Sequence, residues 1–260
     1  VKTPLLDQLA AVALDACAML LQFQPGKVEV AYKSPGDPIT EADRAANALI
    51  CSRLEALYPG VPIVAEESAP ERFEGHTEAD RVFFVDPLDG TREFLANRSD
   101  FAVLIGVTDG GVATHGVVAA PTRRRIWAGR VDAGAFIQAA DGSRAPIAAS
   151  DRTQLSSARL LVSHSVEEAV IARARALLDL TEVRRVGSAG LKGAMVADGS
   201  GDIYVSPGRA GKRWDACAID ALVRSAGGEF TDAHGRPIDY RSDDLSNRTG
   251  LLATNGMLHQ

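Results

Sequence analysis

The stretch that most constrains this chain runs from Val82 to Phe94, VFFVDPLDGTREF. Val82 to Val85 is a short unbroken apolar run of the kind that fits a buried strand. Pro87 has no amide hydrogen to give to a sheet ladder, so the strand is expected to stop at Asp86. Asp89 follows in a turn set by Pro87 and Gly90, a spacing that lets both carboxylates and the Leu88 carbonyl face one point. Hard oxygen donors of this kind suit Mg²⁺ or Mn²⁺ better than zinc. The competing reading is a plain Asp-Gly turn whose aspartates bond their own backbone, and the segment alone does not choose between them.

Composition narrows the setting. A chain of 260 residues that is 46% hydrophobic can bury a real core, as one extended α/β domain or as two small lobes. The formal charge of -6 disfavours a polynucleotide-binding surface, so no nucleic-acid polymer is expected as a partner. No run approaches the length of a membrane span, and Asp7 and Asp15 interrupt the first twenty residues without a cleavage-site pattern. The expectation is therefore a cytoplasmic protein with no integral membrane association. Cys17, Cys51 and Cys217 are odd in number, widely spaced and set in apolar patterns, which reads as buried thiols and not as a disulfide framework or a zinc site.

In chain order, Leu5 to Phe23 has helical spacing and Pro25-Gly26 ends it. A short strand at Val28 to Tyr32 leads into a loop from Lys33 to Asp43, and a helix begins near Thr40 and runs to Tyr58. Thr40 with Asp43 three residues on resembles a capping box, so Asp43 is either a cap or a partner of the site. Val61 to Ala65 reads as a strand that ends in Glu66-Glu67, and Pro70 to Asp80 as a polar, mobile excursion. Phe101 to Val107 and Val112 to Ala119 form a hairpin about Asp109-Gly-Gly111, followed by strands at Arg125 to Arg130 and Gly134 to Ala139. Arg123-Arg124-Arg125 is most simply an exposed turn, with contact to an anion or a second subunit as the other reading.

The segment Asp141 to Ser157 is the candidate boundary between an N-terminal α+β lobe, 1–145, and a C-terminal α/β lobe, 146–260. Strands at Leu160 to Ser163, Val183 to Val186 and Ile203 to Val205 alternate with helices at Val166 to Leu180 and Leu191 to Val196, a βαβαβ rhythm. The basic loop Pro207 to Arg213 then leads into Trp214-Asp215 and a helix from Ala216 to Ala226, with short strands at Glu229 to Thr231 and Leu251 to Thr254. Asp215 falls in the first helical turn, where an acid is ordinarily a cap or dipole partner.

Glu66, Asp86, Asp89 and Asp215 each have a structural excuse, yet together they occupy the ends of core elements, where open α/β sheets gather ligands. Four acids in one place predict divalent cations, and two or three Mg²⁺ would fit. Such a site meets the needs of phosphate-monoester hydrolysis, with Gly90-Thr91 offering backbone N–H groups to the phosphate.

The segments Asp86-Pro-Leu-Asp-Gly-Thr91, Glu66-Glu67-Ser68 and Trp214-Asp215 resemble the three signatures of the lithium-sensitive, magnesium-dependent phosphatases of the inositol monophosphatase superfamily. The likeness spans nearly the whole chain, from Ser34-Pro-Gly-Asp-Pro-Ile-Thr-Glu-Ala-Asp43 to Ala226-Gly-Gly228. It implies an alternating αβαβα layered sandwich with Glu66, Asp86, the Leu88 carbonyl, Asp89 and Asp215 as metal ligands. It further implies that Thr91, with Asp43 behind it, and Glu66 position the attacking water, that lithium inhibits, that Mn²⁺ can replace Mg²⁺, and that the protein is a homodimer. Ala65 departs from the glycine many relatives carry there and asks for a backbone that avoids positive φ.

Arg92-Glu93-Phe94 is similar to the Lys-Glu-Phe of the bacterial 3'(2'),5'-bisphosphate nucleotidase branch, as are Leu191-Lys192, Val196-Ala-Asp-Gly199 and Gly235 to Tyr240. Inositol phosphatases carry a glutamate seven residues before the last metal-binding aspartate, where this chain has Gly208. Arg209, Lys212 and Arg213 are candidates to hold a retained 5'-phosphate, with solvated loop charges as the alternative. The expected substrate contacts are Leu88, Asp89, Gly90, Thr91, Asp215, Ser188, Lys192 and Arg213. The first expectation is thus conversion of 3'-phosphoadenosine 5'-phosphate to AMP. A broad inositol, sugar or histidinol monophosphatase and a non-catalytic metal- or anion-binding regulator of the same fold are the alternatives.

Overall fold

The computed structural model describes residues 4–34 and 37–259, so Pro35-Gly36 of the expected loop lies outside the described residues. Helix α1 (Leu5–Leu20) buries Leu9, Val12, Ala13, Ala16 and Leu20, the face its periodicity marks. The strand expected at Val28 to Tyr32 is β1 (Val30–Ser34), and where a loop was expected after it, β2 (Asp37–Thr40) pairs with it antiparallel in a two-stranded ribbon. Pro38 holds Asp37 out of the helical region, so the approach to the next helix is extended. Thr40 then caps α2 (Glu41–Leu57), accepting from the Ala42 and Asp43 amides.

The main sheet has seven strands in the order β3 (Ile63–Ala65), β4 (Arg81–Asp89), β5 (Ala102–Asp109), β6 (Val112–Ala120), β7 (Arg125–Arg130), β8 (Gly134–Gln138) and β9 (Arg144–Ile147). β3 is parallel to β4 and the rest is an antiparallel meander. β4 does not stop at Asp86: it runs on to Asp89 through a bulge, in which the register shifts between Asp86, opposite Leu104, and Asp89, opposite Ala102. A bulge leaves a residue without a ladder partner, which is what a proline inside a strand needs. β9 likewise falls inside the segment read as a boundary, because a four-residue, exposed edge strand with a proline inside it shows no hydrophobic alternation. The excursion between β3 and β4 is anchored, its 3-10 turn Pro70–Phe73 burying Phe73, with His76 buried behind it.

The second sheet has the order β11 (Glu182–Arg185), β10 (Arg159–Val162), β12 (Ile203–Ser206), β14 (Leu251–Thr254), β13 (Glu229–Thr231). β10, β11 and β12 are parallel as the βαβ rhythm predicts, whereas β14 and β13 join antiparallel. Helices α5 (Ala189–Ala197) and α6 (Arg213–Ser225) lie between the two sheets, α1 and α2 cover the outer face of the first, and α4 (Glu168–Leu178) packs through Ile171 on the second. These are five layers, αβαβα. Short α3 (Thr91–Leu95) follows β4 at the junction of the layers.

The seating of α6 rests on a row of small residues across three strands. Gly106 pairs with Gly116, and Gly116 with Gly129. A Cβ at Gly106 would stand 2.6 Å from the Ala218 amide nitrogen, one at Gly116 would run into the Ala218 carbonyl, and one at Gly129 into the Ser225 hydroxyl. The helix backbone therefore sits directly on the sheet, with Ile219, Leu222 and Val223 fully buried around it, each worth ~1.5–3 kcal/mol of burial. That contact fixes where Asp215 can be.

Candidate metal centre

Register delivers the first two acids. Ala65 pairs with Val85 in the parallel β3·β4 ladder, so the next residues, Glu66 and Asp86, emerge side by side, with the Glu66 amide bonded to the Val85 carbonyl at 3.0 Å. Ala65 is the last residue of β3 and is not among the residues with positive φ, as its methyl group requires. The bulge then turns Asp89 toward Asp86, and the Asp86 Oδ1 accepts the Leu88 amide at 3.0 Å. Asp215, on the first turn of α6, uses Oδ2 to cap the Lys212 amide at 2.5 Å. Asp86, Asp89 and Asp215 bring one carboxylate oxygen each to within 4.8 Å of one another.

Glu66 stands beside this trio and shares a hydrogen bond with Asp86. It is also claimed from the other side by Lys33, whose ammonium lies 2.6 Å from Glu66 Oε1 and 2.6 Å from Glu67 Oε1. Lys33 is a site residue that sequence reasoning passed over as part of a loop. The ion pairs with Glu66 and Glu67 raise its pKa, although burial acts the other way. Burial and the crowding of like charges push Asp86 and Asp215 well above the ordinary carboxylate range, Asp86 facing Glu66, Asp89 and Asp215, and Asp215 facing Glu66 and Asp89. Burial also raises Glu66, with Lys33 partly offsetting it. Such a cluster holds protons unless a cation neutralises it. The donors are oxygen alone, without sulfur or imidazole, which fits a hard divalent ion.

Asp43 plays both of its anticipated parts, one with each oxygen. Oδ2 accepts from the Thr40 amide at 2.8 Å and the Thr40 hydroxyl at 2.5 Å, completing the capping box, while Oδ1 accepts the Thr91 hydroxyl at 2.9 Å. The Thr91 hydroxyl also lies 3.2 Å from the Leu88 carbonyl oxygen. Gly90, at φ 100°, makes the turn from β4 into α3, and a Cβ there would press on the Asp100 carbonyl oxygen at 2.9 Å.

The remaining expected contacts sit in a different layer. Ser188 is buried at the head of α5, where its hydroxyl donates to Asp89 Oδ2 and accepts the Leu191 amide at 3.0 Å. The Ala189 and Gly190 amides add bonds to Asp89 at 3.1 and 2.6 Å. Lys192 is 2% exposed, and its ammonium donates to the carbonyl oxygens of Val186 at 3.3 Å, Gly187 at 3.4 Å and Ser188 at 2.7 Å. Burial lowers its pKa to about 8, with Asp89 as the main opposing charge. Arg213 is tied to the carbonyl oxygens of Asp239 at 2.8 Å and Ser246 at 3.3 Å and to the Asn247 side chain. In the basic loop Lys212 is exposed and reaches the Ser246 hydroxyl at 3.0 Å, and exposed Arg209 has no bonded partner among the described residues. The holding of Asp89 by α5 left no local signal, since it joins residues about a hundred positions apart.

A model of the inositol monophosphatase family matches residues 2–260. Among curated proteins, the 3'(2'),5'-bisphosphate nucleotidase CysQ of Escherichia coli K12 is 31% identical over 243 residues, covering 91% of this chain and 94% of that protein. The Haemophilus influenzae protein of the same name is 29% identical over 91% of this chain and 87% of its own length. Among solved structures, the extragenic suppressor protein SuhB of Bartonella henselae superposes with a TM-score of 0.82 at 26% identity, covering 97% of this chain and 94% of that one. An inositol monophosphatase from Anabaena superposes with a TM-score of 0.77 at 28% identity, covering 98% and 91%.

Proposed function

Because the chain belongs to the inositol monophosphatase family, we propose that it is a magnesium-dependent phosphomonoester hydrolase, and that its substrate is 3'-phosphoadenosine 5'-phosphate, released as AMP and inorganic phosphate. The convergence of Asp86, Asp89 and Asp215, with Glu66 alongside, carries the hydrolase reading. Magnesium, when held there with the Leu88 carbonyl, supplies the positive charge that polarises the phosphoryl group and lowers the pKa of the attacking water.

The chain's own residues do the rest. By giving its hydrogen to Asp43, the Thr91 hydroxyl leaves its oxygen lone pairs to accept from a water, which orients that water and strengthens it as a nucleophile. Asp43 cannot swing away, because its second oxygen is bonded twice to Thr40. Glu66 is the second acceptor for the same water. The turn at Gly90-Thr91 faces the phosphate, and Ser188 and Lys192 keep Asp89 in place from behind.

Two considerations favour a nucleotide. The curated relatives named above are called bisphosphate nucleotidases, and the loop before Asp215 has Gly208 where a sugar-recognising glutamate would stand, followed by the cations Arg209, Lys212 and Arg213. Arg213 is engaged in holding that loop, so we assign the retained 5'-phosphate to Arg209 and Lys212, whose side chains are exposed. The superposition on an inositol monophosphatase favours a second reading, an inositol or sugar monophosphatase of the same mechanism.

A phosphate-release panel at fixed Mg²⁺ separates them. The bisphosphonucleotide should be turned over faster than inositol 1-phosphate, sugar phosphates or histidinol phosphate. Faster release from the simple inositol phosphate rejects the nucleotide assignment, and no release from any substrate by protein that binds Mg²⁺ rejects catalysis itself. Inhibition by lithium, replacement of Mg²⁺ by Mn²⁺, two or three bound ions and a homodimer belong to the same proposal, checked by activity with added LiCl or MnCl₂, metal titration and sedimentation. The division into two lobes is likewise proposed, with its boundary moved from the expected 145/146 to beyond Ile147, because β9 completes the first sheet.

A further inference from the structure

The far end of α6 carries a second set of charged groups that the hydrolase reading does not use. Asp220 is 5% exposed on a helix face that is otherwise apolar. Its Oδ2 accepts the Tyr240 hydroxyl at 3.0 Å, and its Oδ1 lies 3.4 Å from Arg224 Nη1. Arg224 Nη1 also donates to the Ala113 carbonyl at 3.3 Å. Both bonds are long and both fall on one nitrogen, so Nε and Nη2 have no acceptor among the described residues. That edge of a guanidinium is the one that meets an oxyanion with two parallel bonds.

Arg224 lines a cavity of about 670 Å³ between the β5·β6 hairpin, the end of α6 and the segment around Ile238. The volume is that of a site for a small organic molecule. Its walls are apolar at Val112, Val131, Phe230 and Ile238, and its titratable lining consists of Arg224, Asp220, Tyr240 and Glu229, the last 3.8 Å from His259 Nε2. One cation against two acids disfavours a dianion such as a phosphate monoester and suits a single carboxylate on an apolar body. Asp220, itself fixed by the Tyr240 hydroxyl, and the Ala113 carbonyl both engage Nη1, so the Nε and Nη2 edge is left facing away from them before any ligand arrives.

We propose that this cavity is a second ligand site, for a small organic carboxylate with an aliphatic body, seated with its carboxylate on Nε and Nη2 of Arg224 and its body against Val112, Val131, Phe230 and Ile238. Glu229 at the rim is placed to accept an ammonium, so an α-amino acid and a simple oxo-acid share the chemistry.

Isothermal titration of the whole protein with 4-methyl-2-oxopentanoate, L-leucine and L-leucine methyl ester tests this. Either carboxylate should bind saturably, one per chain, and the ester should not. Tighter leucine assigns the ammonium to Glu229, and tighter oxo-acid leaves the carboxylate as the sole anchor. Arg224→Lys keeps the charge and removes the fork, and should weaken binding at least tenfold. Val112→Trp changes an exposed hairpin position, leaves the Asp220, Arg224 and Tyr240 contacts untouched, and should abolish binding while the melting temperature holds. Absence of saturable binding by both carboxylates, or binding that survives Val112→Trp, overturns the proposal.

Discussion

Two buried carboxylates on α6, one on its first turn and one in its middle, sit in opposite company. Asp215, on the first turn, faces Glu66, Asp86 and Asp89, all acids. Asp220, in the middle of the helix, faces a guanidinium and a phenol. Both are raised above the usual carboxylate range, with burial the leading cause in each, but the second contribution has opposite sign: like charge adds to the shift at Asp215, and Arg224 subtracts from it at Asp220. A raised pKa alone therefore does not mark a metal site. What distinguishes it is an uncompensated charge that only a ligand can neutralise.

The sharpest way to break this contrast is Asp215→Asn. Asparagine still accepts the Lys212 amide, so the cap persists, while one of the crowded negative charges is gone. Hydrolysis should fall by about a thousandfold, and the variant should melt higher than the parent in chelator and lower than it in excess Mg²⁺. Calorimetric scans with and without the ion check the crossing. Equal melting temperatures in chelator would mean that the charges at this end of the helix are already compensated.

In the middle of the helix, burial lifts Asp220 to about 6 from 3.8. A carboxyl whose folded pKa lies above its unfolded one binds more protons folded than unfolded between those values, so it lowers stability as pH rises from about 4 to about 6. Two units correspond to about 3 kcal/mol, present as a cost above that window. Asp220→Asn should remove this slope and no other, so the difference in unfolding free energy between variant and parent should grow across pH 4 to 6 and then level off. A difference that is flat in pH would show Arg224 and Tyr240 fully offsetting the burial.

Thr91→Val sits a step further from the ions. It should reduce turnover by about a hundredfold through loss of the water-orienting oxygen while leaving Mg²⁺ affinity unchanged, and Thr91→Ser should restore most of the rate. A matching loss of Mg²⁺ affinity would place Thr91 with the metal-holding acids instead.

How much of this was legible in the sequence differs between the same two sites. Glu66, Asp89 and Asp215 stand where apolar runs meet turn residues, and the pattern places them at the ends of core elements, whereas Asp86, expected at a strand end, lies inside β4. The order of layers comes from the family resemblance; the alternating runs alone give only an α+β half followed by a βαβαβ half. What stayed hidden lies in long-range register. Nothing local says that Lys33 meets Glu66, that the head of α5 grips Asp89, or that β4 continues through Pro87, since a bulge is visible only against the neighbouring strand. Asp220 reads as one polar residue in a helix, because Tyr240 is twenty positions away and the cavity beside them is lined by segments from residue 111 to residue 256. The glycines at 106, 116 and 129 form a row only once β5, β6 and β7 are paired.

That row is what lets one helix serve both ends, and its outermost member allows the mildest test. A methyl group at Gly129 would meet the Ser225 hydroxyl first, and beyond it the Ser225 Cβ at 2.9 Å. Unlike the backbone carbonyl that faces Gly116, a hydroxyl can turn away, at the cost of the 2.8 Å bond it donates to the Leu222 carbonyl. Gly129→Ala should therefore cost about 1 kcal/mol, the lower end of what an extra methyl group costs in a packed core. Ser225→Ala in the same chain removes the oxygen but not the Cβ, so the pair should recover part of the loss and couple by several tenths of a kcal/mol in a double-mutant cycle. Because Ser225 is ten residues from Asp215, the shift should stay at the helix's far end: Mg²⁺ affinity unchanged, carboxylate binding at the Arg224 cavity weakened. A loss of Mg²⁺ affinity in Gly129→Ala would mean that α6 moves as a rigid rod and that its two ends, for all their difference in charge, answer to the same contact with the sheet.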